Sequence, residues 1–179
     1  MVLCLIFFVF FVFADKTKKK VMQIMLKNIP SSLSPELLKV LMEMGHGDEI
    51  VLADGNFPTY SNTNKAIPLS GVSIPTVLED ILTLLPLDSY ADFAVLYMMH
   101  GPEIETPEIW STYTEILEKT DNSHFSACKL GRFAFYERAK KAYAIVATSE
   151  TAIYANVILK KGIIERKPKR VHRNEEDIC

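Results

Sequence analysis

The stretch Met44-Gly-His-Gly-Asp-Glu-Ile-Val-Leu-Ala-Asp-Gly-Asn-Phe-Pro58 constrains the fold more than any other part of the chain. An apolar-periodic run stops at Gly45, a glycine-flanked histidine follows, residues 50–53 form a short apolar strand, and Asp54 stands where that strand ends. Gly45 and Gly47 tolerate positive φ, so the backbone can bend sharply there and a ligand can come close. The segment presents an imidazole and a carboxylate beside a strand end, where polar groups commonly line sites. Histidine, with an unperturbed pKa of about 6.5, exchanges a proton near neutrality. Two readings stand side by side. In one, His46 does acid/base work with Asp54 as its partner. In the other, His46 donates to the last carbonyls of the preceding helix and Asp54 opens an Asx turn.

The flanking segments alternate helix and strand signals. Ser34 is a suitable N-cap, Pro35 suits the first helical position, Glu36 favours the positive end of the dipole, and Gly45 closes the helix. Leu37, Leu38, Leu41 and Met42 are expected to share the face that packs on a sheet. Residues 49–53 read as the first strand. Residues 55–73, rich in Asn, Ser, Thr and Pro, read as a long loop of the kind used for lids or subunit contacts. Residues 75–85 carry Val77, Leu78, Ile81, Leu82 and Leu85 at helical spacing and end before Pro86. A strand over 94–99 precedes a helix over 106–119, with Thr106 as cap and Pro107 at its first position. Trp110 and Tyr113, at i, i+3, read as packing residues rather than a sugar-stacking platform. A helix over 132–142 leads into a strand over 143–148. Arg132 opens that helix, where a cation opposes the dipole and points to a ligand or a cross-chain carboxylate. Arg138, Lys140 and Lys141 need only a solvated face. In the extended segment that follows, Tyr154 and Asn156 alternate onto one face. Their hydroxyl and carboxamide suit a polyol, or else a tyrosine lies over the sheet and an asparagine satisfies a bend.

At 179 residues with a net charge of −2, the chain fits one domain and carries no broad basic surface for nucleic acid. Cys4, Cys128 and Cys179 are odd in number and far apart, which argues against a disulfide framework and a zinc site. Residues 2–14 are unbroken apolar, too short to span a membrane comfortably and right for a signal-peptide core. The lysines at 16, 18, 19 and 20 fall on the far side of that run, and Met25 offers an alternative natural start. Either way residues 1–24 stand outside the domain, which occupies 25–164. Residues 165–179 are highly charged and expected to be disordered, and their basic run is too common a feature of tails to mark a nucleic-acid site.

No Gly-rich phosphate loop, His-Glu-x-x-His or Gly-x-Ser-x-Gly occurs. Adjacent Asp48 and Glu49 point to opposite faces of a strand, so with His46 and Asp54 they do not read as a metal site. What remains is a polar set, His46, Asp54, Arg132, Tyr154 and Asn156, that suits a small, neutral, hydroxyl-rich ligand.

Met25-Leu-Lys, Ser34-Pro-Glu-Leu-Leu, the 44–51 segment, Asp54, Phe57-Pro58, Leu87-Asp-Ser-Tyr90, Arg132-Phe-Ala-Phe-Tyr-Glu-Arg-Ala, Tyr154-Ala-Asn156 and Lys160-Lys-Gly162 stand in order. By them the chain resembles the ribose pyranase and fucose mutarotase family from Met25 to about Ile164. The resemblance implies a single three-layer α/β/α domain, homo-oligomers that are ring-like or smaller, and a site completed across a subunit boundary. It implies His46 as catalytic acid/base, with Asp54, Arg132, Tyr154 and Asn156 holding the sugar. In a proton shuttle through His46, Asp54 is expected to orient either the imidazole or a sugar hydroxyl. The arginine motif resembles the branch that interconverts the anomers of L-fucose. Ribose pyranase chemistry and non-catalytic monosaccharide binding are the alternatives. No metal or organic cofactor is needed, and no stable membrane association of the domain is implied. The implied compartment is the cytoplasm, or the secretory route if residues 1–14 act as a signal. Ala155 and Ser149 stand where glycine is frequent, and residues 98–128 match poorly.

Overall fold

The computed structural model describes residues 26–63, 65–120 and 125–164. The expectations for 1–24 and for the tail beyond 164 lie outside them.

β1 (Glu49–Ala53) is the strand foreseen, and every residue after Glu49 is buried. A run that is apolar on both faces demands cover on both faces. β1 finds it at the centre of a six-stranded sheet of order β2-β5-β1-β6-β3-β4, built with β2 (Ala66–Leu69), β3 (Val95–Met98), β4 (Ala127–Leu130), β5 (Ala144–Thr148) and β6 (Val157–Lys160). β1 is parallel to β5, β5 to β2, and β3 to β4, while β6 runs antiparallel between β1 and β3. Five strands therefore end on the same edge, the edge at which β6 begins. In register, Val51 lies opposite Ile145 on one side and Ile158 on the other.

Alternate residues feed two apolar layers. Ile50, Leu52, Val146, Val157 and Leu159 meet α1 (Pro35–Glu43), α3 (Ile74–Leu82) and α4 (Ile109–Lys119). Val51, Ala53, Leu96, Ile145 and Ile158 meet Phe135 and Ala139 of α5 (Arg132–Ala139). The domain is thus the three-layer α/β/α sandwich expected.

The details correct several expectations. Ser34 caps α1, its hydroxyl accepting from the Leu37 amide at 3.1 Å, but the helix ends at Glu43 with an extended Met44 as C-cap, before Gly45. Its buried stripe is Leu37, Val40 and Leu41. Met42 is 85% exposed and Leu38 only partly buried, because the helix turns them away from the sheet. The 55–73 segment is not one loop. It holds α2 (Thr59–Asn62) and β2, an edge strand that tolerates Pro68 because one side of its ladder is unpaired. Ser73, rather than the chain two residues on, caps α3. α4 begins at Ile109 with Glu108 in the cap position, so Thr106 is no cap. β4, the other edge strand, is a half-buried alternation that the sequence reading passed over, and α5 stops at Ala139.

Candidate functional site

The edge where the five parallel strands end carries a cavity of about 310 Å³, lined among others by Asp54, Met98, Arg132, Tyr136, Tyr154 and Asn156. Ligands of open α/β sheets sit outside the carboxyl ends of strands, where chains diverge. Each wall follows from a strand end: Asp54 leaves β1, Met98 closes β3, Arg132 follows β4 through Gly131, and Asn156 precedes β6.

Asp54 and Asn156 lock together. The Asp54 amide donates to Asn156 Oδ1 at 2.9 Å, and Asn156 Nδ2 donates to Asp54 Oδ2 at 2.6 Å. Asp54 Oδ1 also accepts the Asn56 amide at 2.9 Å. The Asx turn and the cavity position are thus both real. Both side chains are buried. Burial raises the Asp54 carboxyl above its ordinary value, against the hydrogen bonds from Asn56, Asn156 and Phe57, and the charge of Glu150 adds to the rise. Arg132 opens α5 as foreseen. No carboxylate pairs with it among the described residues, and its guanidinium lies 4.9 Å from the Phe133 ring centre. A side chain that neither folds the helix nor pairs with a carboxylate among the described residues is available to a ligand.

Tyr154 does not lie on an extended segment with Asn156. Its φ is +57°, a left-handed turn that costs a bulky residue about 1–2 kcal/mol. The turn is held by two aromatics of α4: Trp110 Nε1 donates to the Tyr154 carbonyl and the Tyr113 hydroxyl to the Ala155 carbonyl, each at 2.9 Å. These residues pack, as expected, and also anchor the backbone of the site. The left-handed residue is Tyr154, not the fully buried Ala155, so alanine fits where glycine is frequent. Ser149 likewise fits, its hydroxyl accepting the Gly71 amide at 2.8 Å.

His46 is not at this cavity. It precedes β1 whereas Asp54 follows it, and β1 alone advances about 16 Å. Gly47 makes the turn with φ +87°. His46 does not cap α1; Lys161 does, its ammonium donating to the carbonyls of Leu41 at 2.8 Å and Met44 at 2.5 Å. Nor does Asp54 orient the imidazole within one chain. Instead His46 Nε2 lies 3.2 Å from Oδ1 of buried Asp88. Burial works against the Asp88 charge, but the Tyr90 amide, His46 and Lys160 outweigh it and hold the carboxyl below its usual range. Of the neighbouring carboxylates, Asp48 accepts the Gly45 amide at 2.7 Å, and Glu49 takes Arg138 in a fork, Nη2 at 2.6 Å and Nε at 2.9 Å.

Sequence reasoning missed Asp88, Tyr136 and the Met98–Ile104 wall. Asp88 sits in a quoted motif, yet only the folded chain brings it to His46. Tyr136 is one turn beyond Arg132 on α5 and lies edge-on to Phe57 at 5.4 Å, which helical spacing from Arg132 would have found.

Residues 27–164 match the RbsD / FucU transport protein family. The fucose mutarotase of Bos taurus is 48% identical over 152 residues, covering 80% of this chain and 97% of that protein. The crystal structure of the fucose mutarotase in complex with L-fucose from Streptococcus pneumoniae is 54% identical, with a TM-score of 0.74, over 78% of this chain and 100% of that one. The structure of Bacillus subtilis RbsD complexed with D-ribose is more distant, 26% identical with a TM-score of 0.61 over 79% of this chain and 100% of that one.

Proposed function

We propose that this chain, which belongs to the RbsD / FucU family, interconverts the α and β anomers of L-fucose. The observation that carries the reading is the convergence of Asp54, Arg132, Tyr154 and Asn156 on one cavity that Phe57, Met98, Ile104 and Ile153 also line. The polar groups suit the hydroxyls of a neutral sugar, and the apolar ones suit its methyl group. The greater likeness to the L-fucose complex than to the D-ribose complex supports the fucose reading over the pyranase one.

Mutarotation removes the proton from the anomeric hydroxyl, delivers a proton to the ring oxygen and breaks the bond between the anomeric carbon and that oxygen. The open-chain aldehyde then closes on either face. One group that gives and takes a proton near neutrality serves both halves, and we assign this to His46. Asp54 and Asn156 hold adjacent hydroxyls, Arg132 donates from the rim, and Tyr154 offers its phenol. No metal or organic cofactor enters the scheme.

Because β1 separates His46 from the cavity, the site is assembled from two copies of the chain: one supplies the cavity, its partner the imidazole. Phe133 and Ile153, 73% and 58% exposed beside the cavity, supply apolar surface for that contact. No helix among the described residues is long and apolar enough to cross a membrane. By its likeness to the family we place the domain in the cytoplasm, with the secretory route as the alternative if residues 1–14 act as a signal. Mass spectrometry of the natural N-terminus tests this, a start near residue 15 marking export instead.

Saturation-transfer NMR of L-fucose, with D-ribose and D-glucose as comparisons, tests the function. Exchange well above buffer for L-fucose, lost in His46→Ala, is the expected result. Exchange at the buffer rate in a sample that binds L-fucose overturns it in favour of a non-catalytic binder.

A further inference from the structure

We infer that Ile104 is a specificity-determining residue of the cavity: it packs against the methyl group of L-fucose and disfavours a sugar that carries a hydroxymethyl group in its place. The inference rests on the mutarotase reading above and deepens it.

The aliphatic and phenyl side chains at the cavity, Phe57, Met98, Ile104 and Ile153, are not equivalent. Phe57 and Met98 are buried in the apolar layer shared with α5, where Phe57 meets Phe135 and Tyr136 edge-on, so much of their surface is already taken up by the fold. Ile153 is 58% exposed and belongs to the contact surface. Ile104 is partly buried, yet it packs in neither apolar layer. Pro102, Glu103, Glu105 and Thr106 around it are all exposed. An isoleucine on such a loop, turned to the cavity and apart from both cores, has a ligand as its natural apolar partner. Water against it is unfavourable, and a methyl group that covers it removes that cost.

The loop is built to hold Ile104 in place. Where the chain leaves β3, the Met98 amide donates to the Asn156 carbonyl at 3.3 Å and the Met99 amide to the Leu130 carbonyl at 2.7 Å. The base of the loop is thereby tied to the sugar-facing turn and to the end of β4. His100 comes next. Its ring centre lies 5.5 Å from that of Trp110 and, edge-on, 6.3 Å from that of Tyr154, while its Nδ1 donates to the Gly101 carbonyl at 2.8 Å. The same carbonyl accepts the Ile104 amide at 3.1 Å and closes a tight turn over 101–104. The imidazole fixes the carbonyl that sets the turn, and the turn sets Ile104 against the cavity. Trp110, which also bonds the Tyr154 carbonyl, braces the sugar-facing turn and this loop together.

Sugar chemistry makes the contact selective. L-Fucose and L-galactose share the configuration of every ring hydroxyl and differ in a methyl group against a hydroxymethyl group. Asp54, Arg132, Tyr154 and Asn156 therefore serve both sugars alike, and discrimination falls to the apolar lining. A hydroxyl set against Ile104 gives up water and meets a side chain with neither donor nor acceptor.

The test compares the parent chain with Ile104→Asn and Ile104→Leu, two replacements of similar size and opposite polarity. Exchange of L-fucose and of L-galactose is read by saturation transfer, and binding of each sugar by NMR titration. The parent is expected to favour L-fucose by about 10- to 100-fold in kcat/KM. Ile104→Asn is expected to shrink that ratio by roughly tenfold, through weaker L-fucose and tighter L-galactose binding, whereas Ile104→Leu keeps the preference for L-fucose. Both variants should fold, since Ile104 packs in neither apolar layer. His100→Ala, which frees the turn, is expected to shrink the ratio in the same direction. A parent ratio near one, or a ratio that Ile104→Asn leaves unchanged, overturns the inference, and an unchanged ratio in His100→Ala removes His100 from it. A parent chain that exchanges neither sugar sinks the mutarotase reading instead, while the two binding constants continue to judge Ile104.

Discussion

The two ends of β1 do different work. At its C-terminal end, buried Asp54 and Asn156 complete each other's hydrogen bonds and face a cavity. At its N-terminal end, a half-exposed imidazole leans on buried Asp88. The two carboxylates shift in opposite directions for a definite reason. Burial dominates at Asp54 and raises it. At Asp88 burial also pushes up, but the Tyr90 amide, the imidazole and Lys160 together prevail and lower it. On the proposed function, one end recognises the sugar and the other moves protons, and a strand about 16 Å long keeps them apart in a single chain. On the proposed function, a complete site forms where one copy's first edge meets another's second.

The largest expected effect separates the two ends outright. His46→Ala should cut L-fucose exchange by roughly 10²–10⁴ while leaving L-fucose affinity, read by titration calorimetry, close to the parent value. Asn156→Ala should do the converse. It removes the donor from a buried carboxylate, so a stability loss of about 1–3 kcal/mol in urea melts should accompany the loss of sugar binding. Gly162→Ala crowds the Leu87 and Asp88 backbone at the proton-moving end. It should cost about 1–3 kcal/mol and lower exchange without touching affinity, which kinetics and calorimetry on one sample can separate.

The smallest effect is in the acid range, and its sign differs between the ends. Asp88, lowered on folding, contributes stability that is present above the ordinary carboxylate value near 4 and is lost as pH falls below it. Asp54, raised on folding, does the reverse: as pH rises from about 4 towards its folded value, stability falls. Urea melts between pH 3 and 6 should therefore find that Asp88→Asn weakens the acid loss of stability, whereas Asp54→Asn removes the opposing slope above it.

The legible part of the fold was the part written in local chemistry. Ser34-Pro35 announced α1, and the unbroken 50–53 run announced a short apolar strand. β2 and β4 escaped because each is a four-residue edge strand, one carrying Pro68 and the other alternating, so neither shows the run of a central strand. Asp54, Arg132, Tyr154 and Asn156 were legible one by one as polar groups, whereas Tyr136, Met98 and Ile104 were not. What the sequence could not disclose was their grouping. Tyr154 in a left-handed turn contradicts its own preference, and the Trp110 bond that holds it comes from α4. Asp88 meets His46 only through the end of β6, a tertiary gauge with no local signature.

The most direct test of the divided site is complementation. His46→Ala and Arg132→Ala chains, each impaired alone, are unfolded together, refolded as a mixture and assayed by L-fucose saturation transfer. A site built from one copy's cavity and another's imidazole should regain activity in about a quarter of its positions. Mixed oligomers, verified by mass spectrometry, that show no gain over the separate variants would contradict the account and return both halves of the site to a single chain.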